Sequence, residues 1–301
     1  MLHSTLQQLR LFESVARNQS YTRAAEEIHL SQPAVSIQVK RLEEQIGMPL
    51  FEKMGKKIFL TRAGKELYDA CQDIFNRMEQ LESSLDDLRG TIAGPLSIGA
   101  VTTTKYFLPH LLGEFLRQYP AVEPHLKVSN RERILERFDA NQDDIYITGH
   151  AILEREAEDR PFLDDQLVVF ANPDHPMARR KQITLEELSK ERFLFREKGS
   201  GIRQTLEAFL ECHGVSLPPY MELGSGEAIK QAVMAGIGIS MLSITSLKLE
   251  LETGRLVVLD VFDLPIRRQW RVVHPKGKHL TPVAERFIEF IEENAKQLIR
   301  R

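Results

Sequence analysis

Between Thr61 and Gly90 the apolar side chains Leu67, Cys71, Ile74, Met78, Leu81, Leu85 and Leu88 recur at alternating spacings of four and three. That is the heptad pattern of a helix with one narrow apolar seam. Thr61 supplies a cap and Gly90 a stop, so the helix is about 27 residues and ~40 Å long. A seam so narrow on so long a rod is hard to bury inside one small domain. A second copy of the same helix is its natural partner, which makes the protein a homodimer. The chain's own C-terminal half is the other available surface. The rod also divides the chain into a head (residues 1–61), the linking helix (62–90) and a body (91–301).

In the head, Leu6, Leu9, Phe12, Val15 and Ala16 fall three to four apart, as on a helix with one buried stripe. Ser20 can cap a short second helix from Thr22 to Ile28, whose Ala24 and Ala25 let another helix cross closely. After a four-residue turn, Ser31 caps a third helix that accepts Pro33 in its first turn and stops near Gly47 and Pro49. Two short helices joined this way form a helix-turn-helix. On the third helix Val35, Val39, Leu42 and Ile46 share one side and pack inward. Pro33, Ser36, Ile37, Lys40 and Arg41 then face outward, with Gln32 nearby; Thr22, Arg23 and Ser31 complete the candidate face. Small polar and cationic groups there suit base edges and phosphates of a major groove. Ile37 has no folding role on that side and suits a thymine methyl; a stray exposed apolar residue is the plain alternative. The next run, Leu50 to Leu60, reads as a hairpin around Gly55 with Lys53, Lys56 and Lys57 at its tip. It is either a wing that meets phosphate or a solvated surface turn.

Charge follows the same division. The chain carries −3 overall, yet residues 1–62 hold nine basic and six acidic residues, a net of +3. A basic head on an acidic body is the asymmetry expected when one end alone touches phosphate. The two cysteines, Cys71 and Cys212, have no metal-ligand spacing and read as idle thiols. No signal peptide or stretch of ~20 apolar residues is present, so a cytoplasmic protein without a membrane partner is expected. The nine histidines are scattered, none paired with another at i, i+3 or i+4, and no metal site is expected. The run Gly199-Ser200-Gly201 lacks the surroundings of a nucleophile elbow, and there is no phosphate-binding P-loop or dinucleotide fingerprint. No enzyme activity and no cofactor are expected.

The body alternates β-like and helical segments, which implies a parallel sheet with covering helices, an α/β fold. Such sheets bind ligands at the carboxyl ends of strands, beside helix N-termini. Those ends carry Thr102, Thr103, Thr104 and Lys105, then Ser129, Asn130 and Arg131, then Thr148, Gly149 and His150. Further along come Arg196, Gly199, Ser200 and Arg203, and then Ser225 and Glu227. Hydroxyls, glycines and cations converging at these ends describe an anion site, for a phosphorylated metabolite or a carboxylate. Any one of them also serves as an ordinary helix cap.

Residues 1–90 resemble the N-terminal module of LysR-type transcriptional regulators. The resemblance rests on Leu9 and Phe12, Ser20-Tyr21-Thr22-Arg23-Ala24-Ala25, Leu30-Ser31-Gln32-Pro33-Ala34-Val35-Ser36, Leu42-Glu43, Gly47, Pro49-Leu50-Phe51 and Leu60-Thr61-Arg62-Ala63-Gly64. Ile37 departs from the polar or basic residue of many members, so no base preference is carried through it. The resemblance implies a winged helix-turn-helix, a dimerisation helix, and a two-lobed effector domain like a periplasmic binding protein. Lobe one comprises 91–160 plus 269–301 and lobe two 161–268, with crossings near Asp159-Arg160-Pro161 and Arg267-Arg268 and the effector between them. It also implies a homodimer or homotetramer on a dyad-symmetric double-stranded DNA operator, with RNA polymerase as a further partner. The run Val35 to Lys40 together with the lysines of the wing is most similar to the branch controlling Calvin-cycle (RuBisCO) operons. That branch implies a sugar phosphate, phosphoglycolate, phosphoenolpyruvate or nicotinamide dinucleotide phosphate as effector. A LysR branch sensing an aromatic or amino acid is the nearest rival. From a different class, a metabolite-binding protein or small-molecule enzyme with a basic assembly head remains open.

Overall fold

The structure, a computed structural model, describes residues 5–54, 57–88, 92–152 and 155–299, with the side chains at 76, 79, 80 and 82–88 outside the description. The chain divides into two compact units, residues 1–82 and 83–301.

In the first unit three helices form around caps that the sequence supplies. Helix α1 (Leu6–Asn18) starts at a capping box between Thr5 and Gln8. Helix α2 (Tyr21–Glu27) starts where Ser20 accepts a bond from the Arg23 amide, and α3 (Gln32–Ile46) where Ser31 accepts one from Ala34. Gly47 closes α3 at φ 76°, a left-handed turn that glycine adopts without strain. Strands β1 (Phe51–Met54) and β2 (Lys57–Leu60) pair antiparallel. Helix α4 (Arg62–Leu88) follows, opened by Thr61, whose hydroxyl accepts from the Gly64 amide and donates to the Pro49 carbonyl. Leu11, Val15, Ala24, Ala25, Val35 and Val39 make the crossing point of the three helices. The stripe on α1 is rotated from the expected one: Leu6 is 48% exposed and Leu11 is buried in its stead.

The seam of α4 is not one surface. Leu67 and Cys71 are buried with Phe12, Leu42 and Leu50 in the head's own second core. Gln72 donates to Glu13, and the Arg10 guanidinium lies over the Phe75 ring, so the first turns of α4 belong to the head. Burial, with the charge of Glu13, pushes the Cys71 thiol up to about 12, which leaves it inert. Ile74, Met78 and Leu81 are exposed along the same row. The side chains of Leu85 and Leu88 lie outside the described residues.

The second unit carries β3 (Gly94–Val101), α5 (Leu108–Gln118), β4 (Val122–Ser129), α6 (Arg131–Asp139), β5 (Ile145–Thr148) and β6 (Ala157–Ala171). These are followed by α7 (Leu185–Leu188), β7 (Phe193–Arg196), α8 (Gly201–Cys212), β8 (Met221–Leu223) and α9 (Gly226–Met234). Then come β9 (Ile239–Ser243), α10 (Lys248–Glu252), β10 (Val257–Val258), β11 (Ile266–Pro275) and α11 (Pro282–Ile299). One nine-stranded sheet runs β4-β3-β5-β11-β6-β9-β7-β8, with β10 paired to β6.

The expected parallel pairing holds within each half, where β3 lies between β4 and β5, and β7 between β8 and β9. Between the halves β6 and β11 run antiparallel over a long register from Ile266↔Leu167 to Pro275↔Ala157. These two strands pass from one half to the other, so the lobes share a sheet rather than being joined by loops. Strand β3 begins directly at the Gly94-Pro95 step. Separate cores sit under each half. One gathers Phe107, Phe115, Trp270, Phe287 and Phe290; the other gathers Phe170, Phe193, Phe195, Leu206 and Ile229. Truncating a ring such as Phe115 to alanine costs about 3–5 kcal/mol in a site this closed.

Candidate functional site

Each of the two units carries one candidate surface. On α3, Val35, Val39 and Leu42 are fully buried while Gln32, Pro33, Lys40 and Arg41 are exposed and Ser36 is half-buried. Ile37 stands 53% exposed among them. The helix therefore turns one polar, cationic face with a single methyl-bearing side chain to solvent, a surface fit to hydrogen-bond base edges. Thr22 and Arg23 are exposed on α2, and Ser31 is exposed at the start of α3. No carboxylate pairs with Lys40, Arg41 or Lys53 among the described residues. Lys53 and Lys57 are exposed on the hairpin; Lys56 lies outside the described residues. Glu43 fixes the hairpin relative to the helix, because its Oε1 accepts from the Leu50 and Phe51 amides at 2.8 and 3.2 Å.

In the second unit a narrow cavity of about 30 Å³ opens between the halves. That is far below the roughly 300–1,000 Å³ usual for small-molecule sites, so a metabolite enters only if the lobes part. Val101, Thr102, Thr103, Asn130, Arg131, Gly149 and His150 line it from the first lobe. Arg196, Ser200, Gly201 and Ile202 line it from the second, and Arg268 from crossing strand β11. Local structure explains the composition. Strands β3, β4 and β7 end here, and α6 and α8 begin here, so first-turn amides point inward. Asn130 caps α6 through the Arg133 amide, whereas Ser200 at the head of α8 makes no such bond with its hydroxyl. The lobes meet around the cavity: the Glu132 amide donates to the Gly199 carbonyl at 3.2 Å, and Thr205 Oγ1 lies 2.9 Å from His150 Nε2.

Of the residues read as an anion site, Thr102, Thr103, Asn130, Arg196 and Ser200 are brought together in this cavity. Others lie apart from its lining, each for a local reason. Thr104 is fully buried and donates to the Val101 carbonyl; Thr148 donates to the His150 carbonyl. The Ser129 carbonyl accepts from Thr102. Gly199 sits at φ 84° and makes room for Glu132 and Asn130. Arg203 is held by Glu207, Glu222 and the Arg196 carbonyl. Ser225 opens α9 without a side-chain bond. Glu227 bridges the lobes instead, accepting from Tyr106 and pairing with Lys230 at 3.0 Å and Lys105 at 3.7 Å.

Arg131, Gly149 and His150, also read at those strand ends, line the cavity as well; Arg268 is the charged lining residue that reading lacked. Arg268 gave no local signal beyond its place at a crossing. Burial, and then the positive charges of Arg268, Arg131 and Arg271, push the His150 pKa down to about 3. The imidazole is therefore neutral at pH 7, and the cavity's charge is carried by arginines.

A helix-turn-helix head and a two-lobed body with an interlobe cavity together define a class. Residues 6–65 match the Bacterial regulatory helix-turn-helix protein, lysR family, and residues 89–296 match the LysR substrate binding domain. The chain belongs to the LysR family. It is 45% identical over 289 residues to the RuBisCO operon transcriptional regulator of Acidithiobacillus ferrooxidans, covering 96% of this chain and 94% of the relative. The RuBisCO operon transcriptional regulator of Allochromatium vinosum is 44% identical over 297 residues, covering 99% and 98%. Among solved structures, the CcmR regulatory domain of Synechocystis PCC6803, in complex with 2-PG, is 42% identical with a TM-score of 0.65, covering 68% of this chain and 98% of that one.

Proposed function

We propose that this chain is a sequence-specific DNA-binding transcriptional regulator of CO2-fixation genes, its activity set by a small anionic metabolite. The carrying observation is the 44–45% identity to two RuBisCO operon regulators across nearly the whole of both chains. The geometry supports the reading from both ends. Residues 1–61 present the α3 face and the lysine hairpin to an operator, with Gln32, Pro33, Ser36, Ile37 and Lys40 toward bases. Residues 62–90 join two copies through the outer part of the seam, from Ile74 onward, since Leu67 and Cys71 are already spent on the head's core. Two reading helices then match a dyad-symmetric site, and a dimer of dimers spans two such sites. Residues 91–301 hold the effector, with lobe one (91–160 and 269–301) and lobe two (161–268) closing on it.

A relative's regulatory domain holding 2-PG in its structure makes 2-phosphoglycolate the first effector to test here. Binding acts on DNA only if it favours one lobe arrangement over the other, since equal affinity for both shifts nothing. No helix among the described residues is long and apolar enough to cross a membrane. The protein acts in the cytoplasm, engages RNA polymerase at its promoter, and carries out no catalysis.

The test is a footprint on the promoter of the RuBisCO genes across a salt series, with and without 2-phosphoglycolate. Specific protection should fade steeply with salt as phosphate contacts release counterions, and the ligand should change its extent. Absence of any protected site at low salt ends the reading. Thr102→Val with Thr103→Val should abolish the ligand's effect on the footprint; a surviving response moves the pocket elsewhere.

A further inference from the structure

Arg268 has fewer acceptors than its burial demands. Its side chain is 7% exposed, and its Nε donates to Asp165 Oδ2 at 2.7 Å, the two residues being register partners on β11 and β6. Asp165 is occupied on its other oxygen by Ser243 at 2.6 Å and Thr245 at 3.3 Å. The guanidinium carbon lies over the Trp270 ring, 4.7 Å from its centroid. Nη1 is 3.4 Å from His150 Nε2, but that nitrogen is already 2.9 Å from Thr205 Oγ1. A ring nitrogen has one proton or one lone pair, so it serves only one of them well. Nη2 is buried and finds no partner among the described residues. A buried guanidinium donor left without an acceptor is costly, and its residue is among those that line the cavity.

The structure keeps that fork clear. A Cβ built on Gly149 would stand 2.7 Å from Arg268 Nη1 and 2.8 Å from its Cζ. Any other residue at 149 would push the guanidinium aside. Around it Thr102, Thr103, Asn130 and Ser200 offer neutral polar groups, and Arg131 and Arg196 add positive charge.

We infer that Arg268 grips the oxyanion head of the effector from β11, one of the two strands that cross between the lobes. The inference rests on the effector-binding reading above and names, among the three arginines of the cavity, the one with an unused donor. A planar fork matches carboxylate and phosphate oxygens, and a neutral His150 leaves the anion as its best acceptor. Because Arg268 and its partner Asp165 sit on the two crossing strands, the bound anion pulls directly on the element about which the lobes move.

The experiment is calorimetric titration of the full-length chain with 2-phosphoglycolate, with glycolate, which lacks the phosphate, and with inorganic phosphate. The variants are Arg268→Met, Arg268→Lys, Gly149→Ala and Thr102→Val. Because Arg268→Met leaves the Asp165 carboxylate unpaired, the double variant Asp165→Asn with Arg268→Met serves as its folding control. Arg268→Met and the double variant should weaken 2-phosphoglycolate roughly 10- to 100-fold, the scale of one charge-assisted pair. Arg268→Lys, which keeps charge but loses the fork, should fall between them and the wild type, as should Gly149→Ala. If phosphate binding weakens with them and glycolate does not, the phosphate is the gripped head; the reverse result assigns the carboxylate. If both Arg268 variants bind like the wild type while Thr102→Val is weakened, the role of Arg268 is overturned and the effector cavity stands. If the wild type binds none of the three probes, the anionic-effector reading falls and this inference falls with it.

Discussion

The α3 face and the interlobe cavity both present cations to an anion, and they do so in opposite ways. On the face, Lys40, Arg41 and Lys53 stand in water without a paired carboxylate among the described residues. In the cavity, Arg196 is 4% exposed and pairs with Glu197, while Arg268 pairs with Asp165. A duplex is a long polyanion with a condensed ion atmosphere, so solvated, mobile lysines that release counterions are enough to attract it. A small metabolite brings one or two charges and must be recognised by groups already desolvated and held in place. The head trades rigidity for reach, and the cavity does the reverse.

Four measurements press on this contrast. The largest effect belongs to the desolvated side. Asp165→Ala strands a buried guanidinium and should destabilise the second unit by about 3–5 kcal/mol. Urea unfolding followed by the fluorescence of Trp270, the chain's one tryptophan, reads it beside the same ring. A loss below ~1 kcal/mol would place Arg268 effectively in solvent. Next comes pH. His150 is held near 3 in the folded chain against 6.5 unfolded. Below pH 6.5 the unfolded state therefore binds the extra proton, and stability falls as pH drops through that value toward 3. The second unit should lose about 2 kcal/mol between pH 7.5 and pH 5, and His150→Asn should remove that slope. An unchanged slope in the variant points to another group.

The solvated side should respond to salt instead. Ser36→Ala with Lys40→Ala should weaken operator binding about 10-fold at low salt and reduce the slope of log K against log salt by about 1, with the melting of the head unchanged. Identical footprints would remove this face from the interface. The smallest effect is at Ile37. Ile37→Ala should alter head stability by no more than about 0.5 kcal/mol, because the side chain is already in water. Its effect should appear as a shifted preference at a single base pair in a selection experiment, and a large stability loss would show that Ile37 is packed.

The head was legible because its determinants are local. The caps at Ser20 and Ser31 act three residues away, and the row Val35, Val39, Leu42 repeats within one helix. The same periodicity overran its limits on α4, where Leu67 and Cys71 have the heptad spacing of Ile74 and Met78 yet pack into their own domain. A repeat states which side is apolar and is silent on what covers it. At the strand ends, Thr102, Thr103, Asn130, Arg196 and Ser200 were distinguishable from Thr104, Thr148 and Arg203 only in three dimensions. Helix caps and anion sites draw on the same residue types.

What the sequence determined by itself is therefore the set of elements, their order, and the cationic outer face of the third helix, each encoded within a few residues of chain. Only the tertiary structure decided which polar groups share the cavity. Arg268 lies 103 residues from Asp165 and 118 from His150 in sequence, and it meets them because β11 pairs antiparallel with both β6 and β5. A contact set by strand register between distant segments leaves no local periodicity to read.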